Sequence, residues 1–246
     1  MSNRQKLEQI LKHQSTQSHE SDFQQLLKHA EGIAKLENVV AVVSDLKNGI
    51  SKIYSGKFGE TLGLEGYNQE NSIWEKAILE LMTEEEREEK YLADLRFIHF
   101  LRCLPKNVRS NYYLASKLSM KTPSGQIINT LHRMFYVHCT DSGSVSHALC
   151  LYGSLAFDFA GKSFAVNSMT GAVEELTSTG DASILSKREQ QVLQLIGNGK
   201  TSLEIASLLS ISKHTVSRHR QEILAKLQVK NSIEACRIAR SIGIIN

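Results

Sequence analysis

The sequence predicts two domains: an α+β unit built on an antiparallel sheet with helices, followed by an all-α unit of four helices. Three observations carry this. From Leu185 onward apolar residues recur at helical spacing in four successive stripes, each preceded by a capping residue. Between about residues 39 and 159 the chain instead shows β-branched and apolar runs separated by turn sequences. Charge divides near the same place. From Ser186 onward there are ten Lys or Arg against four Glu, a net of +6, which leaves −3 on the first 185 residues of a chain whose total is +3.

The four C-terminal helices are read from their starts. Ser186-Lys187-Arg188-Glu189 and Thr201-Ser202-Leu203-Glu204 have the form in which a cap hydroxyl and a third-position carboxylate satisfy each other's orphan backbone donors. Asn231-Ser232-Ile233-Glu234 is the variant with Asn as cap, and Ser212 starts the remaining helix. The stripes that follow are Val192, Leu193, Leu195 and Ile196; Ile205, Ala206 and Leu209; Val216, Ile223 and Leu227 with Leu224 alongside; and Ile233, Cys236, Ile238, Ala239 and Ile242. Gly197-Asn198-Gly199 breaks the chain after the first helix, and Gly243 stands where a left-handed C-cap is expected.

The second and third helices are joined by three residues, and the third is dense in donors and positive charge. A helix-turn-helix needs that arrangement: one helix braces another, which enters the major groove. An ordinary helical bundle would show the same stripes. The basic balance of this segment, coinciding with the groove helix, favours a polyanionic partner instead.

Leu185-Ser186-Lys187-Arg188-Glu189, Val192-Leu193, Gly199-Lys200-Thr201, Glu204-Ile205-Ala206, Ile211-Ser212, Thr215-Val216, His219, Lys226-Leu227-Gln228-Val229 and Glu234-Ala235 together resemble the LuxR/NarL (GerE-type) DNA-binding domain, over about a quarter of the chain. The sequence departs from that pattern at Gln191, at Ser202-Leu203, at Glu222 (where Asn is common) and at Ser232-Ile233. Position on the third helix and the resemblance together assign Ser217, Arg218 and Gln221 to base edges, with Arg218 suited to guanine and Gln221 to adenine. Lys200, Thr201, Lys213, His214, Thr215, Arg220 and Lys230 are assigned to phosphates, which set register but not sequence. His219 is open between a structural and a phosphate role. The resemblance implies pairing of two copies through the fourth helix on a two-fold DNA site; packing of that helix within one unit is the other reading.

The front of the chain supplies the input. Helices are expected at about 3–13 and 20–36, then a strand at Val39–Asp45, a turn at Leu46–Gly49 and a second strand at Ile50–Tyr54. One long helical stretch is expected over about 71–104, followed by strands at Tyr112–Met120, Ile127–Cys139 and Val145–Phe159. This order, with Val42 to Ile50 and Gly59 to Leu64, resembles a PAS-type sensor: a five-stranded antiparallel sheet with helices on one face enclosing a pocket. A domain used only for dimerisation would read the same way. A phosphoacceptor receiver needs alternating parallel strands and helices and an acidic pair after its first strand; Asp45 is a lone acid and the strand cluster is antiparallel in pattern.

No nucleophile elbow, Walker A loop, zinc-protease helix or dinucleotide fingerprint is present. His99, His132 and His138 have nothing to complete a metal set and read as core or surface residues, and Cys103, Cys139, Cys150 and Cys236 stand singly, as reduced core residues do. No apolar run reaches membrane-spanning length and the opening residues lack a signal core, so a cytoplasmic location is expected.

The expected organisation is an N-terminal helical segment at 1–37, a PAS-like sensory or dimerising domain at 38–177, and a helix-turn-helix domain at 178–246 entered through a short linker at 177–183. The function expected is a bacterial transcriptional regulator, not an enzyme. Its expected partners are double-stranded DNA, a second copy of itself on DNA, and RNA polymerase as a further candidate. No cofactor is implied, and the identity of any small-molecule ligand of the front domain stays open. The alternative is a constitutive DNA binder whose front domain recruits a protein and takes no ligand.

Overall fold

The computed structural model describes residues 2–12, 20–138, 144–177, 185–227, 229, 231–241 and 244–245. By its contacts the chain divides into two units, residues 1–94 with 106–175, and residues 95–105 with 176–246. Residues 178–183 of the predicted linker, Cys139, Lys230, Ile242 and Gly243 lie outside the described residues.

The first unit opens with α1 (Asn3–Lys12) and α2 (Glu20–Glu37), then β1 (Val40–Asp45) and β2 (Ile50–Ser55). The hairpin between these strands is closed by Asp45. Its Oδ1 accepts from the backbone N–H groups of Lys47 and Asn48, both at 2.9 Å, its Oδ2 accepts from the Asn48 amide, and Gly49 adopts φ +66°. That carboxylate is a turn-former, buried and fully engaged, not a phosphoacceptor.

After α3 (Lys57–Thr61) and the short β3 (Gln69–Glu70), the expected long helix is broken into α4 (Lys76–Leu79) and α5 (Glu84–Cys103). The break has a local cause. Thr83 accepts a hydrogen bond at Oγ1 from the backbone N–H of Glu86, and Glu84, Glu85 and Glu86 occupy the first turn, where the helix dipole favours negative charge. The charged run is therefore a helix start.

A 3-10 turn (Lys106–Asn111) leads into β4 (Tyr112–Lys121), β5 (Ile127–His138) and β6 (Val145–Ser154). The last of these ends five residues earlier than expected. Two further strands, β7 (Ser163–Asn167) and β8 (Val173–Glu175), were not foreseen. The sheet has the order β3-β2-β1-β6-β5-β4-β7-β8, and every pairing among the described strands is antiparallel. The five long central strands and their helices form the PAS-like α+β architecture that was expected; the parallel alternation of a receiver is absent from the described residues.

Alternation along the strands gives the sheet two faces. Phe23, Ala30 and Ala34 of α2 pack on the face carrying Ala41, Val43, Leu149 and Leu151. The register places Ser116, His132 and Tyr152 side by side across β4, β5 and β6 on the opposite face, with Met134 beside Cys150 in the next row. Gly56 makes a close approach possible between β2 and the end of α2: a Cβ there would lie 2.7 Å from the Cα of Asn38.

The second unit contains the four expected helices, α6 (Lys187–Gly197), α7 (Ser202–Leu209), α8 (Lys213–Leu227) and α9 (Ser232–Ser241). Their core is Leu185, Val192, Leu193, Ile205, Val216, Ile223, Leu227, Val229, Ala235, Cys236, Ile238, Ala239 and Ile245. One predicted core residue is misplaced: Ile233 is 85% exposed. It precedes the buried Ala235 by two residues, which is about 200° around a helix and so on the far side.

Candidate nucleic-acid interface

All four predicted caps are formed. Ser186 and Thr201 each accept from the third-position backbone N–H while Glu189 and Glu204 accept from the cap N–H, so both capping boxes are reciprocal. Ser212 Oγ accepts from the Thr215 N–H at 3.0 Å, and Asn231 Oδ1 accepts from the Glu234 N–H at 2.9 Å. Between α7 and α8 the chain turns through Ser210, which adopts a left-handed conformation at φ 52°. This reverses the chain in three residues and aims α8 across α7.

The brace of α8 is partly ionic. Glu189, almost fully buried, accepts from Lys226 Nζ at 2.7 Å, tying the start of α6 to the end of α8. Burial pushes the Glu189 carboxyl up, but hydrogen bonds from Lys226 and from Ser186 outweigh it and hold the group below the usual range. Arg188 donates to the carbonyl of Leu209 and to Gln191, so Gln191 still takes part in polar bracing.

With α8 fixed by Val216, Ile223 and Leu227 against the core, its other side carries the predicted readers. Ser217, Arg218 and Gln221 are all exposed. Lys213 and His214 are exposed at its first turn, Thr215 is half-buried, and Lys200 is exposed just before α7, 3.5 Å from Glu204. The Thr201 hydroxyl is engaged in its own cap, donating to Glu204 at 2.8 Å. Arg220 is placed differently from the expectation. Its guanidinium donates to Ser202 Oγ at 3.3 Å and to Ser232 Oγ at 3.1 Å, joining α7, α8 and α9 from a half-buried position. That geometry points to bracing rather than phosphate contact.

Sequence reasoning noted Glu222 only as a departure from pattern. It lies among the readers: Arg218 donates through Nε to Glu222 Oε1 at 2.8 Å, and His219 Nδ1 is 3.5 Å from Oε2. The i,i+4 spacing of Arg218 and Glu222 was the available signal.

The first unit holds a second polar concentration, on the inner face of its sheet. Lys90 and Asp94, one turn apart on α5 and each 3% exposed, pair at 2.9 Å. With the buried Glu75, Trp74, Ser44 and Cys150 they line a cavity of about 30 Å³. Burial pushes the carboxyls of Glu75 and Asp94 up, while Asp94 and Glu75 hold the Lys90 ammonium charged against its own desolvation. Asp94 Oδ1, Trp74 Nε1, Ser116 Oγ, Thr130 Oγ1, Tyr152 OH and both ring nitrogens of His132 are buried without a hydrogen-bond partner among the described residues. His132 stacks on Tyr152 at 4.8 Å between ring centroids.

A capped, braced helix pair with an exposed, donor-rich third helix defines the second unit as a helix-turn-helix domain. Residues 183–239 match the family described as bacterial regulatory proteins, luxR family, and this part of the chain is a LuxR-type domain. Among curated relatives, the response regulatory protein YgeK of Escherichia coli K12, described as uncharacterized, is 45% identical over 60 residues, or 24% of this chain and 41% of that protein. The transcriptional regulatory protein DesR of Bacillus subtilis 168 is 48% identical over 63 residues, or 26% of this chain and 31% of that one. The chain thus spans less than half the length of either relative. A crystal structure of phage VqmA with DPO aligns over 91% of this chain and 88% of that one, at 16% identity and a TM-score of 0.33, and its ligand is a property of that protein alone. No described helix is long and apolar enough to cross a membrane.

Proposed function

We propose that the chain is a sequence-specific transcriptional regulator, not an enzyme. In it a C-terminal domain at 178–246 reads duplex DNA and a PAS-like domain at 38–177, preceded by the helical segment at 1–37, supplies the input. The observation that carries the reading is the exposed face of α8. Ser217, Arg218 and Gln221 stand free of the core on a helix whose opposite side is buried and whose two ends are pinned. Arg218 carries the paired donors that suit O6 and N7 of guanine, and Gln221 the amide donor and carbonyl acceptor that suit N7 and N6 of adenine. Lys200, Thr201, Lys213, His214 and Thr215 sit at the starts of α7 and α8, where phosphates are met, and Lys230 completes the set. Pairing of two copies on a two-fold site belongs to this proposal, as does contact with RNA polymerase.

Sensing is the role proposed for the first unit because its interior departs from an ordinary core. A buried ion pair beside a third ionisable group and a run of unpartnered polar atoms is unusual in a domain that serves only as a spacer.

The test is selection of bound sequences from random duplex DNA by the full chain. A two-fold site is expected. Arg218→Ala should then lose discrimination at one base pair by about 1–3 kcal/mol. Lys213→Ala should weaken every sequence alike and flatten the salt dependence by about one unit. Equal losses from both substitutions on all DNA would overturn the division between base and phosphate contacts. A front domain that alters regulation with no small molecule shifting its melting temperature would favour recruitment of a protein partner instead.

A further inference from the structure

Glu222 is an awkward residue for a DNA-facing helix. A carboxylate there opposes the phosphates, and its order with Arg218, cation first and acid four residues later, is the weaker of the two orientations for stabilising a helix. Helix stability therefore does not account for the pair. Arg218 has a side chain 73% exposed and Glu222 one 36% exposed, so Glu222 lies at the edge of the reading face and Arg218 projects beyond it.

The contact also selects one edge of the guanidinium. Arg218 donates to Glu222 through Nε, and among the described residues its two terminal nitrogens have no hydrogen-bond partner. An arginine can address guanine end-on through those two nitrogens or side-on through Nε and one of them. With Nε engaged, only the end-on fork is open, and it is held clear of the α8 surface.

We propose that Glu222 is a positioning residue for base recognition, fixing Arg218 so that its terminal fork meets O6 and N7 of a single guanine. The inference rests on the DNA-reading function proposed above. The pair also neutralises Arg218 toward the backbone. An unpaired arginine at this position would reach for phosphates on any sequence, and Glu222 holds that non-specific attraction down, so the residue exchanges general affinity for selectivity.

The experiment is a comparison of the wild-type chain with Glu222→Ala, Arg218→Ala and the double variant. Each is carried through selection from random duplex DNA and then competition binding on the selected site and on its single-base variants across a salt series. Glu222→Ala is expected to lower the guanine preference at one position by about ten-fold, to raise affinity for random DNA, and to steepen the salt dependence by about one unit. In the Arg218→Ala background the same substitution should leave base preference unchanged. Thermal melting should not distinguish Glu222→Ala from wild type, since the side chain is at the surface.

Uniformly tighter binding with the guanine preference intact would overturn the proposal and leave Glu222 a plain surface charge. Loss of a cytosine preference that persists without Arg218 would overturn it in favour of direct reading by the carboxylate. Failure of the wild-type chain itself to enrich any sequence would overturn the DNA-reading function, and this inference with it.

Discussion

In the C-terminal unit the buried carboxylate of Glu189 receives Lys226 and the Ser186 N–H, and the half-buried Arg220 finds two serine hydroxyls. On the inner face of the N-terminal sheet, Ser116, Thr130, His132 and Tyr152 have buried polar atoms with no hydrogen-bond partner among the described residues, and Lys90 faces two carboxyls at once. The difference separates two kinds of construction. Satisfied polar groups such as these lock the helices that present α8, with His219 Nδ1 an exception that is buried without a hydrogen-bond partner among the described residues. Unsatisfied ones store a cost of about 1–3 kcal/mol each that a change in contents or packing can relieve, which suits a responsive interior.

The sharpest way to break the comparison is Lys90→Met. It strands Asp94 and Glu75 without their cation and should cost the N-terminal unit about 3–5 kcal/mol, read by urea unfolding of the fluorescence of Trp74, the only tryptophan. If the loss is under 1 kcal/mol, the cluster already stands protonated and uncharged. Next comes Glu189→Ala, which removes a capping partner and a charged hydrogen bond. It should cost the C-terminal unit about 2–3 kcal/mol in helical circular dichroism while leaving the Trp74 transition where it was.

Acid should remove the contribution of His132 before that of Glu189. Burial, aided by the charge of Lys90, holds the His132 pKa well below its usual value, so the unfolded chain binds a proton that the folded one refuses. That contribution is complete above about pH 6.5 and is lost progressively as pH falls below it. Glu189 works from the opposite side of neutrality: its depressed carboxyl stabilises above about pH 4.5 and loses that effect only as pH falls further. The loss contributed by His132 should therefore appear between about pH 6.5 and 5, above the range in which Glu189 loses its effect. His99, held down to about 3 by burial, acts in the same direction as His132, while the raised carboxyls of Glu75 and Asp94 act in the opposite one. The smallest effect is expected at the turn between α7 and α8. Ser210→Gly relieves a left-handed serine and should add about 0.5–1 kcal/mol without altering DNA selectivity.

How much of this was legible in the sequence followed from how local each cause was. The caps at Ser186, Thr201, Ser212 and Asn231 and the Asp45 turn act within four residues, and all were readable. The break before α5 was written just as locally, in Thr83 and Glu86, but the charged run hid it. β7 and β8 escaped because they are short, and β8 is exposed throughout, so neither shows an apolar alternation. The inner polar face escaped for a different reason. Lys90 and Asp94 have the spacing of an ordinary surface pair, and only the tertiary structure shows both buried. For Arg220 the sequence displayed the charge but not Ser202 and Ser232 beside it.

The ends of the sheet carry one more consequence. At one side it finishes in the two residues of β3 and at the other in the three of β8, and between them these strands carry the half-buried Glu70 and the exposed Glu174 and Glu175. Backbone groups at a sheet border invite another chain to zip on, and brief, acidic borders are poor templates for it. Extension of the sheet by another chain is thereby disfavoured, and the same tapering shields the ten- and twelve-residue inner strands from fibrillar self-assembly.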